Sequence, residues 1–361
     1  MTRPAPHPVR GRGATSNQVP TRFGLAEREE DGDWLDQREA IDGPPPLLRT
    51  QVTIENPKRI ISRNSSPDIP FDQSINAYRG CEHGCIYCYA RPTHAFHDLS
   101  PGLDFETRLF AKPNAPELLR AALQKKGYRA SQIAMGTNTD PYQPIEGRYR
   151  ITRDCLAILA EARHPVTITT KSDRVVRDID YLADMASNNL VAVAISVTSL
   201  DPKVHRTLEP RAPSARKRLA AISALNEAGI PTYVSMSPII PAITDHEIEH
   251  LIEAAAEAGA HAGFFVPIRL PHEVSPLFRA WLNEYYPDRA SKVMNMIQSL
   301  RDGRDNDPAF FNRMRGEGPW ADLIRTRFRR ACRKHGLNQR VITLRSDLFR
   351  PPAGRQGELA L

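Results

Sequence analysis

Three cysteines within eight residues are the clearest chemical feature of this sequence. Cys81, Cys85 and Cys88 are separated by three and then by two residues, and Gly80 and Gly84 lie among them. Glycine permits the positive φ angles that a tight loop needs. Thiolates at this spacing can wrap a 4Fe–4S cubane and leave one of its irons without a protein ligand. An open coordination site is typical of a catalytic metal centre rather than of an electron carrier.

Two other interpretations of these cysteines stay open. A structural zinc site of three cysteines and one histidine, in a nucleic-acid-binding protein without catalysis, would use a nearby imidazole. The candidates for that ligand are His83, His94 and His97. An electron-transfer protein would need a fourth cluster ligand, and neither Cys155 nor Cys332 is close in sequence. Cys155 falls on an apolar helical face, which favours inert packing. Cys332 lies among arginines, which favour the thiolate, but also on an apolar stripe.

The composition indicates a globular protein. The chain has 361 residues, of which 40% are hydrophobic and 25% charged, as in proteins with a packed core. We expect a cytoplasmic protein that does not enter the membrane, because no apolar run approaches the ~20 residues of a membrane span and no secretory signal is recognisable. The cysteines are too unevenly placed for a disulfide framework. The formal charge of +7 resides in residues 301–361, which hold 14 Lys or Arg and 7 Asp or Glu.

Short apolar runs alternate with helical patterns, which predicts six βα units around a parallel sheet. The predicted strands are Ser74–Tyr78, Gln132–Gly136, Val166–Thr170, Val191–Val197, Thr232–Ser237 and Gly263–Ile268. The cysteine loop follows the first of them. We assign these units to a domain over residues 51–270.

The two ends of the chain differ from this central region. Residues 1–48 contain seven prolines and few large apolar groups, which predicts a disordered tail. Residues 271–361 form a basic and mainly helical extension, with its clearest helix at 319–334 and a short strand at Arg340–Leu344. The apolar face of that helix is predicted to comprise Trp320, Leu323, Ile324, Phe328, Ala331 and Cys332.

The CxxxCxxC motif, with the aromatic Tyr87 before its last cysteine, resembles that of the radical S-adenosylmethionine (SAM) superfamily. Over roughly residues 51–350 the chain is similar to the group related to spore photoproduct lyase, often described as DNA repair photolyase-like. The resemblance implies an α/β fold, a partial (β/α)6 TIM-like barrel with a helical C-terminal extension. It also implies a 4Fe–4S cluster and SAM as cofactors.

The chemistry implied by this resemblance begins with the methionine end of SAM on the open iron. One electron, from an external donor of the flavodoxin or ferredoxin class, then breaks the bond from sulfur to C5′. The resulting 5′-deoxyadenosyl radical abstracts hydrogen from a substrate, which the lyase resemblance suggests is a modified or damaged nucleobase. The basic C-terminal region would suit a phosphate backbone. Its arginines could equally form the polar face of a packed helix.

Polar residues at successive strand ends are the candidates for SAM contacts, because barrel enzymes place their chemistry there. The resemblance assigns the methionine amino group to the loop after the second strand, where the usual Gly-Gly-Glu pattern is replaced by another sequence. It assigns the carboxylate to the third strand end, and hydroxyls after the fourth could bind the ribose. The candidates at the strand ends are Thr137, Asn138, Thr139, Asp140, Lys171, Ser172, Ser196, Thr198 and Ser199, and Tyr87, which borders the cluster, could contact adenine or relay a radical. The alternatives are an ordinary turn and helix-capping hydroxyls.

Two further groups of residues are secondary candidates. Pro238–Pro241 could line an adenine pocket through Ile239 or Ile240, with core packing as the alternative. Charged side chains after the fourth strand could form salt bridges with the cofactor or the cysteine loop, or surface pairs of little energetic weight. These are Glu209, Arg211 and Arg216.

Overall fold

A computed structural model describes Val9, residues 11–17 and residues 48–353. The strands are β1 (Gln51–Ile54), β2 (Ile61–Arg63), β3 (Gln73–Ile75), β4 (Tyr78–Arg79), β5 (Arg108–Ala111), β6 (Ile133–Met135), β7 (Val166–Thr170), β8 (Val191–Ser196), β9 (Thr232–Ile239) and β10 (Ala262–Pro267). The α-helices are α1 (Asp104–Thr107), α2 (Ala115–Leu123), α3 (Glu146–Tyr149), α4 (Ile151–Glu161), α5 (Ile179–Ser187), α6 (Pro202–Leu208), α7 (Ala215–Glu227), α8 (Ile248–Glu257), α9 (Val274–Tyr285), α10 (Ala290–Ser299), α11 (Asn312–Arg315) and α12 (Gly318–Lys334). Short 3-10 helices cover Arg91–His97, Asp173–Asp178, Asp245–Glu247 and Pro287–Arg289.

The main sheet has the strand order β10-β9-β8-β7-β6-β3-β2. The strands from β10 to β3 pair in parallel, and β2 is antiparallel to β3 at the edge. These parallel strands correspond to the six that the sequence predicts, except that the first, predicted at Ser74–Tyr78, ends at Ile75, and Tyr78 begins β4 of a second sheet. The fold is therefore the expected partial (β/α)6 barrel. Every residue of β8 is buried, as expected of a β-branched strand that is covered on both faces.

A second, smaller sheet was not expected. It has the order β1-β5-β4, with β1 parallel and β4 antiparallel to β5. The sequence shows no clear alternation here because these strands are only two to four residues long. This sheet matters for the site, since the cysteine loop starts directly after β4.

The helices predicted beyond Pro271 are confirmed, and the last of them, α12, packs against α8 and β10. The Phe328 ring lies 4.7 Å from that of Phe265. Leu323 was expected on the apolar face, but it is 54% exposed. The strand expected at Arg340–Leu344 is absent from the described residues. Instead, the Asn338 side chain bonds both the N–H and the C=O of Gly263 in β10, so the chain docks there without forming a strand.

The disordered tail expected over residues 1–48 is wrong for residues 11–17. Here Arg12, Gly13, Ala14 and Thr15 are buried. The expectation failed because this segment is held by backbone hydrogen bonds to a distant side chain rather than by large apolar groups. Most of the remaining tail lies outside the described residues, as do residues 354–361. No helix in the described ranges is long and apolar enough to cross a membrane.

Candidate active site

The segment from Gly80 to Tyr89, here called the cluster loop, follows β4 of the smaller sheet and is bonded to residues that follow β6 and β8 of the main sheet. The backbone of Cys81 donates to the Phe105 carbonyl at 3.0 Å, and that of Ile86 donates to the Leu208 carbonyl at 3.1 Å. Gly80 has a φ of 70°, and a β-carbon there would lie 2.6 Å from the Leu109 side chain. The loop conformation therefore depends on glycine at this position.

All five cysteines are free thiols. Cys81 and Cys85 are buried, while Cys88 is partly exposed. Burial raises the pKa of the Cys85 thiol to about 12, although the charge of Lys171 opposes the rise. Iron coordination would deprotonate such a thiol outright.

The donor chemistry of the cluster loop, three free thiols, is of the kind that an iron–sulfur cluster takes. Among the described residues, no three His, Cys, Asp or Glu side chains lie close enough together to hold one metal ion. A cubane binds each thiolate at a different iron. The fit therefore rests on three reduced cysteines in one loop and on the cation beside Cys85.

Each histidine proposed as a zinc ligand has a contact elsewhere, but one buried ring nitrogen of each, His83 Nδ1, His94 Nδ1 and His97 Nε2, has no hydrogen-bond partner within the described residues. His83 Nδ1 lies 3.3 Å from Asp140 Oδ2. His94 Nε2 is hydrogen-bonded to the Arg108 carbonyl at 2.9 Å. The His97 ring packs at 4.7 Å from that of Phe110.

Asp140 ties together the loops that follow β6 and β7 and the cluster loop. Its carboxylate accepts hydrogen bonds from Thr170 Oγ1 at 2.6 Å and from the Lys171 backbone at 2.8 Å, and it pairs with His83. Burial alone would raise the pKa of Asp140, but the charge of His83 and these donors lower it to about 2. Asp140 is therefore ionised and already engaged within the protein.

The other residues predicted after the second strand are bonded to the cluster loop or to Asn76, which precedes it. Thr139 Oγ1 donates to the Gly80 carbonyl at 2.7 Å. Thr137 Oγ1 accepts from Asn76 Nδ2 at 3.1 Å, and the Asn138 backbone donates to Asn76 Oδ1 at 3.0 Å. These polar groups hold the loops in place, and their contact with SAM stays a prediction.

A buried polar network lies behind the cluster loop. Glu209 Oε1 accepts hydrogen bonds from Thr198 Oγ1 at 2.7 Å and from the Tyr87 hydroxyl, and Oε2 pairs with Arg218. Arg218 also donates to the Ser196 carbonyl at 2.9 Å. Two of the predicted SAM-contacting residues, Tyr87 and Thr198, thus meet at one glutamate that the sequence placed only among secondary candidates, and Ser196 joins the network through Arg218.

Lys171 brings a positive charge to this network. Its ammonium lies 5.7 Å from the centre of the Tyr87 ring. Burial would lower the pKa of Lys171, but Cys85 and Glu209 raise it above its ordinary value. Burial would likewise raise the pKa of Glu209, yet Arg218 and Lys171 hold it well below its usual range. Both groups are therefore charged at neutral pH.

Other candidates make the contacts that their alternative interpretations describe, and contact of Ser172 with SAM stays a prediction. Ser172 is the N-cap of the Asp173–Asp178 helix and accepts from the Arg174 backbone at 3.3 Å. Ile239 and Ile240 are fully buried in the core. Burial also raises the pKa of the Cys155 thiol, and it raises that of Cys332 to about 11. Both cysteines are therefore packed, protonated thiols.

Sequence reasoning missed the ion pairs that support the cluster loop. Arg91 and Glu106 are both fully buried, 2.5 Å apart, and no local motif marks either of them. Arg211, a secondary candidate, does pair with the cluster loop, through Glu82 at 3.1 Å. Arg174, Arg211 and Lys217 line a cavity of about 240 Å³ beside His83.

The comparisons with known proteins agree with this geometry. The sequence model of the Radical SAM superfamily matches residues 75–255, half of the 361-residue chain. The chain belongs to the radical SAM superfamily.

This radical SAM protein has uncharacterised relatives in distant organisms. It is 37% identical over 233 residues to an uncharacterized protein of Mycobacterium tuberculosis, a match covering 64% of this chain and 68% of the relative. An uncharacterized protein of Methanocaldococcus jannaschii is 30% identical over 222 residues, a match covering 61% of this chain and 79% of the relative.

Solved structures of spore photoproduct lyase share the fold of this radical SAM protein. A complex with dinucleoside spore photoproduct aligns with a TM-score of 0.56 and 16% identity, covering 79% of this chain and 80% of the other. A mutant of the lyase aligns with a TM-score of 0.57 and 15% identity, covering 85% and 93%. At these identities the likeness shows the fold.

An aromatic and cationic surface lies at the C-terminal end of β10 in this radical SAM protein. Tyr89, Phe310 and Phe311 are each about half exposed. The Arg313 guanidinium lies 4.8 Å from the centre of the Phe310 ring. Burial and the charge of Arg313 lower the pKa of Arg269, whose Nε has no hydrogen-bond partner within the described residues. These five residues are called the aromatic–arginine surface below.

Proposed function

We propose that this radical SAM enzyme binds a 4Fe–4S cluster through Cys81, Cys85 and Cys88 and cleaves SAM reductively. The observation that carries the proposal is one loop at the strand ends that presents three free cysteines with Lys171 beside them. When bound, the cluster supplies the single electron that converts SAM into a 5′-deoxyadenosyl radical.

The surrounding residues would bind and orient SAM. The Lys171 ammonium suits the methionine carboxylate, because charge-assisted bonds are strong in a buried setting. Ser196 ends β8 and Thr198 follows it beside Tyr87, where hydroxyls suit the ribose, and Glu209 accepts a hydrogen bond from the Tyr87 hydroxyl. Asp140 keeps the neighbouring loops in register. Such preorganisation holds reacting atoms near contact and keeps water out.

A modified or damaged nucleobase is the substrate class that we propose. The aromatic–arginine surface supports this, because bases released from a duplex stack on aromatic rings while arginines bind phosphates. The proposal places the substrate at Tyr89, Phe310 and Arg269 rather than on helix α12. On helix α12, Arg327 is paired with Glu249 at 2.6 Å. On the aromatic–arginine surface Arg313 is likewise paired with Asp68, so the proposal relies on Arg269 as the phosphate-binding cation.

The electron donor that we propose is an acidic protein of the flavodoxin or ferredoxin class in the cytoplasm. The cationic cavity at Arg174, Arg211 and Lys217 supports this, because it borders the cluster loop at His83 and complementary charge steers association. The absence of disulfides among the five cysteines suits a reducing compartment.

Replacement of one cluster cysteine tests the central proposal. We expect Cys85→Ser to lose most of its iron and sulfide, to lack the brown absorbance near 400 nm and to form no 5′-deoxyadenosine from SAM with dithionite. Cys155→Ser, at another fully buried cysteine, should match the wild type in all three. The measurements are metal and sulfide analysis of anaerobically reconstituted protein and chromatography of the nucleoside products.

Two outcomes would contradict the proposal. About one zinc per chain without the absorbance band would favour the structural zinc site. A wild-type cluster that is stable but leaves SAM intact would indicate an electron carrier.

A further inference from the structure

We infer that residues 11–17, the N-terminal brace, are positioning residues of the cluster site. They fix the backbone of the cluster loop, and a loop without the brace binds the cluster poorly. The inference rests on the proposed function for the cluster itself, but the bracing contacts concern this chain alone.

The brace is anchored at Glu106, which lies outside it in sequence. Its side chain is fully buried. Its Oε2 accepts the Gly13 N–H at 2.9 Å, and its Oε1 accepts the Ala14 N–H at 2.8 Å and Arg91 Nη2 at 2.5 Å. A buried ion pair stabilises a structure only when its remaining lone pairs are also satisfied. The brace supplies those two donors.

Arg91 connects Glu106 to the cluster loop. Its Nε donates to the Cys85 carbonyl at 2.8 Å and its Nη2 to the Gly84 carbonyl at 3.1 Å. Its Nη1 donates to the carbonyls of Pro101 and Gly102 at 3.0 and 2.9 Å. Together with the bond to Glu106, all five N–H donors of the guanidinium are used. Its geometry is therefore fixed, and it fixes the backbone on both sides of Cys85.

The brace also touches the cluster loop directly. A β-carbon on Gly13 would lie 1.8 Å from the Gly84 carbonyl oxygen. At the other end of the brace, a β-carbon on Gly102 would lie 2.1 Å from the Ser16 carbonyl oxygen. Real side chains do not fit at these distances, so both contacts require glycine.

Arg12 extends the brace to the first cysteine. Its Nη1 donates to the Glu106 carbonyl at 3.0 Å and its Nη2 to the Leu48 carbonyl at 2.7 Å. Nη2 also reaches Thr50 Oγ1 at 3.4 Å, and the Thr50 hydroxyl donates to Glu82, the neighbour of Cys81. The brace therefore supports the loop from two directions.

Gly13→Ala is the test of the brace, with Gly11→Asn as its control. Gly11 has nothing within 4 Å of its β-carbon position and a φ of 75°, which asparagine tolerates. We expect Gly13→Ala to speed amide exchange of residues 80–91 by about tenfold or more in the metal-free protein, because the loop loses its fixed contacts. Iron per chain after anaerobic reconstitution should fall well below that of the wild type. Gly11→Asn should match the wild type in both.

A second variant separates a local effect from misfolding. Gly102→Ala displaces the brace through Ser16, and it should give the same two changes while exchange in β7–β9 stays as in the wild type. If Gly13→Ala speeds amide exchange throughout the barrel, Arg12→Gln is the variant to use instead. Arg12→Gln removes the contacts of the guanidinium without adding side-chain volume.

The outcomes for the brace and for the cluster are distinguishable. Unchanged loop exchange and unchanged iron in these variants would overturn the brace while leaving the cluster intact. Faster loop exchange in a protein whose wild type binds no iron would support the brace and refute the cluster.

Discussion

At the scale of single residues, Glu209 is the buried carboxylate that pairs with Arg218 behind the cluster loop. It is 1% exposed and shares its two oxygens among Arg218, Thr198 and Tyr87. Arg218 is equally buried, so the positive charge of its guanidinium is compensated by the Glu209 carboxylate rather than by water. The network therefore couples the stability of the barrel to the position of the Tyr87 ring beside the cluster loop.

Glu209→Gln should lower the free energy of unfolding by about 3 kcal/mol or more, since a buried cation left without its partner is strongly destabilising. Urea denaturation of the metal-free protein measures this. The control is Glu161→Gln, which breaks the pair with Arg120 at a carboxylate that is 37% exposed. That change should cost about 1 kcal/mol or less. Equal losses of unfolding free energy in the two variants would show that the buried Glu209–Arg218 pair contributes no more to stability than the exposed pair.

Arg269→Gln tests the aromatic–arginine surface. We expect a single-stranded oligonucleotide to bind more weakly, and the slope of log affinity against log salt to fall by about 0.7, because one phosphate contact is lost. Fluorescence anisotropy over a series of salt concentrations measures both quantities. Arg329→Gln changes an exposed arginine on α12 and should leave both unchanged. If Arg329→Gln has the larger effect, the C-terminal helix is the binding face.

The parts of the candidate site that are marked by a short sequence motif could be predicted. Cysteine spacing and two glycines define the cluster loop within a few residues, so Cys81, Cys85 and Cys88 could be named from the sequence. The partners of Thr139 and Asp140 could not, because a polar side chain at a strand end can bind a ligand or another loop. Arg91 and Glu106 carry no local signal at all.

At the scale of elements, the parallel strands were predictable because each is a short apolar run between helical patterns. The small sheet of β1, β5 and β4 was not predictable, because strands of two to four residues are too short to show an alternation of apolar and polar residues. The brace at residues 11–17 escaped composition-based reasoning for a different reason. Its burial comes from backbone donors that meet Glu106, more than ninety residues away in sequence.

At the scale of the whole molecule, the main sheet is open, with β2 at one edge and β10 at the other. Asp68, in the loop after β2, accepts Arg313 Nε at 2.7 Å and the Phe311 backbone at 3.0 Å. Both donors belong to the segment 307–316, which follows the C-terminal helices that β10 leads into. A single carboxylate therefore connects the two edges of the partial barrel and positions Phe311 and Arg313 of the aromatic–arginine surface.

Asp68→Asn should release this connection. The Asp68 side chain is 2% exposed, and loss of its charge weakens each hydrogen bond to it, since bonds to charged groups contribute about 1.5–3 kcal/mol. Amide exchange in residues 307–316 should accelerate by about tenfold or more, while exchange in β7 and β8 stays constant. Asp72→Asn, in the same loop but bonded to Ser131, should leave the segment protected. Because Arg313 and Phe311 contribute to the proposed substrate surface, Asp68→Asn should also weaken oligonucleotide binding. Unchanged exchange with weakened binding would instead place Asp68 in direct contact with the substrate.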